Sequence, residues 1–217
     1  MAEHLPDPDP SQFPDLDKSH VYATRSRDRL VRVFSPAGDH PMNWDDYRHF
    51  GPLATGRFDH HPDGDAQHYP DHGVWYAAIE TGTENHGLAT ALAERFQEAR
   101  TVSLSDRYPH LAICHPGRSL KLLDMRSGWI TKAGGNAAVG SGNREQSRKW
   151  ARAIHEKYAT LDGIVWSSSV YPPGNAIVLW SGAVPALAPS AVAIAPLAEL
   201  LPYVVRAAGT LGYVVAL

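Results

Sequence analysis

Cysteine is almost missing from this chain: its 217 residues include one, Cys114. A single thiol excludes an internal disulfide framework and any zinc cage built on cysteines. An excess of positive charge is also missing. Lys and Arg number 20 against 23 Asp and Glu, a formal net charge of −3, so a general nucleic-acid binder is not expected. Long hydrophobic runs are lacking too. The most apolar stretch, residues 182–198, is alanine-rich and broken by Pro185, Pro189 and Pro196. It reads as loop and edge structure rather than a membrane span. The opening MAEHLPDPDP is acidic and proline-rich, where a secretory signal has a basic start and an apolar run. The cytoplasm is the expected compartment.

What is present points to one folded domain with an appendage. Hydrophobic residues make up 43% of the chain, enough for a sizeable core, and 18 Gly with 17 Pro predict many short elements joined by turns. Residues 1–25, where Pro6, Pro8, Pro10 and Pro14 alternate with acidic residues, are expected to be a disordered leader with few core contacts. Residues 26–217 are expected to form the single folded domain. Alternation and β-branched residues predict strands at 30–34 (LVRVF), 74–79, 111–115, 120–123, 163–166, 176–180 and 212–217. Residues 42–50 are expected as a short helix and 51–73 as a long polar loop. Leu88, Leu92, Phe96 and Ala99 mark a helix over 88–99. Asn143 and Gln146 suit a capping box for a helix whose buried stripe is Trp150, Ile154, Tyr158 and Leu161. A helix over 197–208 is weakened by Pro202. Many short strands with few helices give the α+β class.

Most chemistry-bearing residues admit a plain reading beside a functional one. The glycine-rich residues 134–142 can offer N–H groups to a phosphate, but their spacing fits no phosphate-binding fingerprint and a flexible loop is the simpler reading. His60, His61, His68 and His72 share a loop with Asp59, Asp63, Asp65 and Asp71. No metal-ligand spacing is found there, so the loop is expected to be a solvated, metal-free turn. Glu94 lies off the apolar stripe of its helix. It is either a solvated glutamate or the wall of a cleft, since its neighbours Thr90, Ala91 and Gln97 are small or polar. Ser147 falls on the buried side of its helix, and Ser167–Ser169 end a buried strand ahead of a Pro-Pro-Gly turn.

Taken in order, these fragments resemble the RES domain family. The carriers are Arg32 in LVRVF, GRF at 56–58, WYAAIE at 75–80, ALAERF at 91–96, DGIVWSSS at 162–169, and GN at 174–175 before VLW at 178–180. The resemblance is densest from about residue 30 to residue 180. It departs from the common pattern at Trp166, where tyrosine is usual, and in the histidine-rich loop, where many members have GRWN. It implies NAD-degrading toxins of bacterial toxin–antitoxin pairs, with mixed short-stranded sheets and a few flanking helices in an ADP-ribosyltransferase-like fold. It further implies Arg57, Tyr76, Glu94 and Ser168 as catalytic positions, and Arg32, Ser147 and Asn175 as positions binding NAD.

The chemistry expected from that resemblance suits the residue types. Arginine forks match a diphosphate. Departure of neutral nicotinamide leaves positive charge on the ribose, which a carboxylate such as Glu94 stabilises. Tyr76 is expected to stack on nicotinamide or hold the ribose, and Ser168 to bond the carboxamide or a phosphate. Water or inorganic phosphate is the expected acceptor, with no cofactor beyond NAD itself. Transfer of ADP-ribose to a protein, a non-catalytic NAD-binding module and a histidine-based metal hydrolase are the alternatives. The family's partner is an Xre-type helix-turn-helix antitoxin that covers the active site. No direct contact with nucleic acid or membrane is expected, and a homo-oligomer is left open.

Overall fold

The computed structural model describes residues 5–81, 86–183 and 192–217. Its centre is an eight-stranded sheet. The strands are β1 (Val21–Ala23), β2 (Arg29–Phe34), β5 (Val74–Glu80), β7 (His110–Cys114), β8 (Lys121–Asp124), β9 (Gly163–Ser167), β10 (Asn175–Trp180) and β11 (Val192–Pro196). They run in the order β1-β8-β9-β10-β5-β2-β7-β11, and β8–β9 is the one parallel pair of this sheet. Two small sheets accompany it: β3 (Phe50–Gly51) with β4 (Gln67–His68), and β6 (Thr101–Ser103) with β12 (Val214–Ala216). The helices are α1 (Gly87–Phe96), α2 (Trp129–Lys132), α3 (Ala138–Ser141), α4 (Arg144–Lys157) and α5 (Leu201–Leu211). The fold is α+β, a mixed sheet with five α-helices among the described residues. Among the described residues, no helix is long and apolar enough to cross a membrane.

The two faces of the sheet explain the sequence of its middle strands. β5 reads VWYAAIE rather than strictly alternating because both of its faces are covered. Trp75, Ala77 and Ile79 pack with Leu30, Ile177 and Leu179 on one face. Val74, Tyr76 and Ala78 point to the other, where all the long helices lie. On that face Ile164, Val178 and Trp180 meet Trp150 and Ile154 of α4. Further along it, Val31, Ala78 and Leu111 meet Leu92 of α1 and Val204 of α5. The middle of this face therefore lies between two helical blocks, and that gap positions the site.

Local signals account for the helix ends. The Asn143 side chain accepts from the backbone N–H groups of Glu145 and Gln146, which starts α4. Gln146 does not complete the expected reciprocal box; its amide donates to Asp7. Pro202 sits in the first turn of α5, where its missing N–H does no harm, and Gly212 in the left-handed region ends that helix. Residues 42–50 form no helix, contrary to expectation. Their carbonyls are drawn inward instead: Trp44 O accepts from Trp75 Nε1 at 2.8 Å and from Arg32 at 3.1 Å, and Asp46 O also accepts from Arg32. Expected loop and edge structure at 182–198 is observed as edge strand β11, while residues 184–191 lie outside the described residues.

The expectation of an unpacked leader is overturned over residues 5–25. Leu5 and Phe13 belong to the main core, and Phe13 is 5% exposed. Its ring lies 5.1 Å from Trp129, 5.5 Å from Trp150 and 6.2 Å from Tyr158. Trp150 Nε1 donates to Pro6 O and the Tyr158 hydroxyl to Pro14 O. Prolines hold the backbone extended over α4, where Leu5 and Phe13 anchor it, Leu16 and Val21 pack beside them, and Val21–Ala23 pairs with β8. Phe13→Ala should lower stability by about 3 kcal/mol or more, the usual effect of emptying an aromatic core position. Denaturant unfolding monitored by tryptophan fluorescence checks this; an unchanged midpoint would show that the segment is not packed.

Candidate active site

The gap between α1 and α4 forms a cavity of about 490 Å³. Val31, Val33, Tyr76 and Ala78 of the central strands floor it, and Trp166 borders it. Trp166 meets Phe58 edge-on at 4.6 Å and Tyr76 at 6.3 Å, so the departure from tyrosine at this position extends an aromatic base. Helix α1 supplies Glu94. The helix comes close to the sheet because the residues that face it are small: Ala89, Ala91 and Ala93 are buried. At Gly174 even a Cβ would strike Thr90. Glu94 thus borders the cavity rather than open solvent, and the solvated reading of it fails. Its Oε1 is buried and has no hydrogen-bond partner among the described residues. Burying such an oxygen unpaired costs about 1–3 kcal/mol or more for a charged group, which marks a place where a ligand is expected to compensate.

Arg57 reaches the same cavity from the loop after β3. Its Nη1 donates to Gly142 O at 2.8 Å and to Ser147 Oγ at 3.4 Å. Burial holds its pKa below the ordinary arginine value, the neighbouring Arg144 charge lowers it further, and Glu94 opposes both. A fully buried carboxylate two residues on, Asp59, fixes the loop. It accepts from Arg48 Nη2 at 2.6 Å, Leu53 N at 3.0 Å and the Tyr76 hydroxyl at 2.8 Å. The same hydroxyl accepts from Phe58 N at 3.0 Å. Burial and then the Asp59 charge push the Tyr76 pKa well up, so the phenol stays neutral. Gly56 must be glycine here, because an added Cβ would collide with the Asp59 carboxylate.

Arg57, Tyr76 and Glu94 therefore meet in one cleft, floored by a sheet and walled by a helix. The family model of the RES domain matches residues 12–204. The chain belongs to the RES domain family. That family is known in toxin–antitoxin systems. Neither a curated protein nor a solved structure matches this RES domain.

Other expected site residues of the RES domain are engaged elsewhere. Arg32 of β2 lines the cavity with its neighbours Val31 and Val33, but it sits two residues from Leu30, so strand alternation turns its side chain to the opposite face. There its guanidinium lies over Trp75 at 5.1 Å and bonds the Trp44 and Asp46 carbonyls, a role in holding the 42–50 segment. Ser168 is 1% exposed, and its Oγ accepts from Val170 N and Tyr171 N, which builds the turn. Its neighbour Ser169 borders the cavity instead. Ser147 is buried and donates to Val139 O, touching the site only through Arg57. Asn175 pairs with Ile79 and Ser167 at the start of β10 and does not border the cavity. Two contributors were missed. Asp59 was read only as a member of the histidine loop, although it directly follows GRF. Arg144, which borders the cavity, was hidden as the first residue after a helix cap.

The histidine loop is not the solvated turn expected of it. His60 and His61 are 2% and 0% exposed, and neither ring has a hydrogen-bond partner among the described residues. His60 lies 4.2 Å from the His155 ring, 5.2 Å from His72 and 5.6 Å from Trp180, packing as an aromatic hydrophobe. No group of three or more His, Cys, Asp or Glu among the described residues has the geometry to hold a metal ion. Burial, then the charges of His155 and His72, push His60 down to about 2. Burial pushes His61 down to about 4, partly opposed by Asp59. In the unfolded chain both titrate near 6.5. Protons are then bound by the unfolded chain and not by the folded one. The stability these rings contribute is therefore complete above pH 6.5 and falls as pH drops below it, to about 4 for His61 and further for His60. The slope is on the order of 1 kcal/mol per pH unit per ring. Unfolding free energies from pH 7.5 to 4.5 should show it, and His60→Leu should flatten it; an unaltered slope in the variant would sink this reading.

Proposed function

We propose that this RES domain cleaves the bond between nicotinamide and ribose in NAD. The observation that carries this reading is the buried, unpartnered Glu94 carboxylate oxygen placed in one cavity with Arg57 and Tyr76. A cavity of about 490 Å³ is of the size that small-molecule sites occupy. Its Glu94 carboxylate is set among arginines, an arrangement suited to a ligand that is anionic at one end and becomes cationic at the other. NAD has both features. As the C–N bond breaks, its electron pair leaves with nicotinamide and positive charge develops on C1 of the ribose. Glu94 stabilises that charge, and Arg57 holds the diphosphate.

The Tyr76 hydroxyl is engaged by Asp59 and Phe58, so Tyr76 offers its ring to the substrate and uses its hydroxyl to hold the Arg57 loop. Water or inorganic phosphate closes the reaction by adding oxygen to C1 and releasing a proton. The products are ADP-ribose or its 1″-phosphate. Consumption of NAD suits the toxin of a toxin–antitoxin pair, and a helix-turn-helix antitoxin that covers the cleft is the partner this role requires.

Glu94→Gln should lower kcat on the order of a hundredfold while NAD binding changes little, because the lost interaction is strongest at the transition state. Arg57→Ala should raise KM more than it lowers kcat. Nicotinamide release measured with and without phosphate reads both effects and identifies the acceptor. Near-normal kcat in Glu94→Gln would sink the proposal at its central residue.

A further inference from the structure

Helix α5 carries an outer face that solvent alone does not explain. Its sequence, LPYVVRAAGTL, holds a single charged residue, Arg206. Val204, Ala207 and Ala208 are buried and pack in one cluster with Leu92 of α1 and Leu111 of β7. The rest of the helix turns outward, where a surface helix ordinarily presents charged and polar side chains. Here Tyr203 is 64% exposed, Val205 51% and Leu201 36%. Of the eight exposed large hydrophobic residues among those described, five fall between residues 201 and 217. Exposed apolar surface is therefore concentrated at this end of the chain, whereas single scattered residues would need no explanation. Gly209 continues the row of Leu201 and Val205, and nothing lies within 4 Å of the Cβ it lacks.

Two charges frame this face and point to what covers it. Glu199 lies in the short 3-10 turn Leu197–Leu200 that leads into α5, and Arg206 follows seven residues later. Both are exposed, and neither side chain has a hydrogen bond or ion pair among the described residues. Seven residues span about 10 Å along a helix, so the acid and the base stand at opposite ends of the outer face with Tyr203 between them. A second copy of the chain presents the same face. Laid antiparallel across a two-fold axis near Tyr203, it sets Glu199 of each chain beside Arg206 of the other. Such a contact closes on itself, with an ion pair at each end and tyrosine against tyrosine at the centre. A parallel arrangement would set Arg206 against Arg206.

We propose that the outer face of α5 is a homodimer interface, with a two-fold axis near Tyr203 and reciprocal Glu199–Arg206 pairs. Leu201, Tyr203, Val205 and Arg206 do not border the cavity. Helix α5 packs with α1 in one block, while α4 belongs to the other, so the contact lies away from the gap between them. The dimer keeps both clefts open. One pair of helices buries little area, so the association is weak and depends on concentration. The interface does not rest on the proposed NAD cleavage.

Sedimentation velocity of the full chain at low ionic strength, over a series of concentrations, tests the interface. The wild type should move from the mass of one chain toward that of two as concentration rises. Glu199→Arg and Arg206→Glu should each weaken self-association on the order of tenfold or more, because each reversal meets its like charge twice across the axis. Mixing the two single variants should restore a dimer, since one chain then carries two bases and the other two acids. The double variant Glu199→Arg/Arg206→Glu should dimerise by itself. Apolar adhesion alone predicts no such pattern of loss and rescue. Melting temperatures guard against misfolding, and Tyr203→Ala, which should also dissociate the dimer, carries the test if a single reversal fails to fold. A wild type that stays monomeric at every concentration overturns the proposal, as does a dimer that both reversals leave intact. Flotation of monomeric wild type with phosphatidylcholine vesicles, lost in Val205→Glu, would give this face to a membrane and likewise overturn it.

Discussion

Everything at the cleft hangs on one buried carboxylate. Asp59 has no exposed surface, and a bare charge in that position would be prohibitive. It is tolerable because three donors converge on it from Arg48, Leu53 and Tyr76. Two of those donors precede the GRF turn, and the third comes from the central strand β5. The carboxylate therefore ties the turn to the sheet at a fixed distance, and Arg57 inherits that precision. Gly56 is the concession the turn makes so that the carboxylate can fit. Such a network is stable only when complete, so losing any member affects all the others.

The sheet beneath turns this local order into a site. Strands β5 and β10 lie at the middle of eight and are covered on both faces, so neither can shift without disturbing two layers. Helices α1 and α4 stand on one face with a gap between them. One brings a glutamate and the other an arginine to the same opening. Rigid floor and separate walls are the arrangement in which preorganised charges are most effective.

How much of this was legible in the sequence depended on how local each signal was. The strands of the centre and the start of α4 were readable, because alternation and an Asn143 cap act within a few residues. Glu94 was readable as a choice, since small neighbours on its helix permitted a cleft without requiring one. Arg32 was misplaced by strand parity: two residues from Leu30 it must share that residue's face, and only the assembled sheet tells which face holds the cleft. Ser168 and Ser169 differ by one position in a turn, beyond what residue types can separate. His60 and His61 sit among aspartates that suggested water, yet Trp180 and His155 close over His60 from distant segments and Tyr69 packs against His61. Leu5 and Phe13 were masked by the prolines around them, and a pair of solitary apolar residues has no periodicity to detect.

The chain's first residues have a consequence for when the molecule becomes whole. The bond from Trp150 to Pro6 joins residues 144 positions apart, and so does that from Tyr158 to Pro14. Arg57 meets Gly142 across 85 positions, and β10, which flanks Tyr76 in the sheet, ends only at Trp180. A chain emerging from the ribosome thus carries residues 6–14 without these bonds until α4 has been synthesised. The cleft is complete only when α4 and β10 have joined the strands made before them.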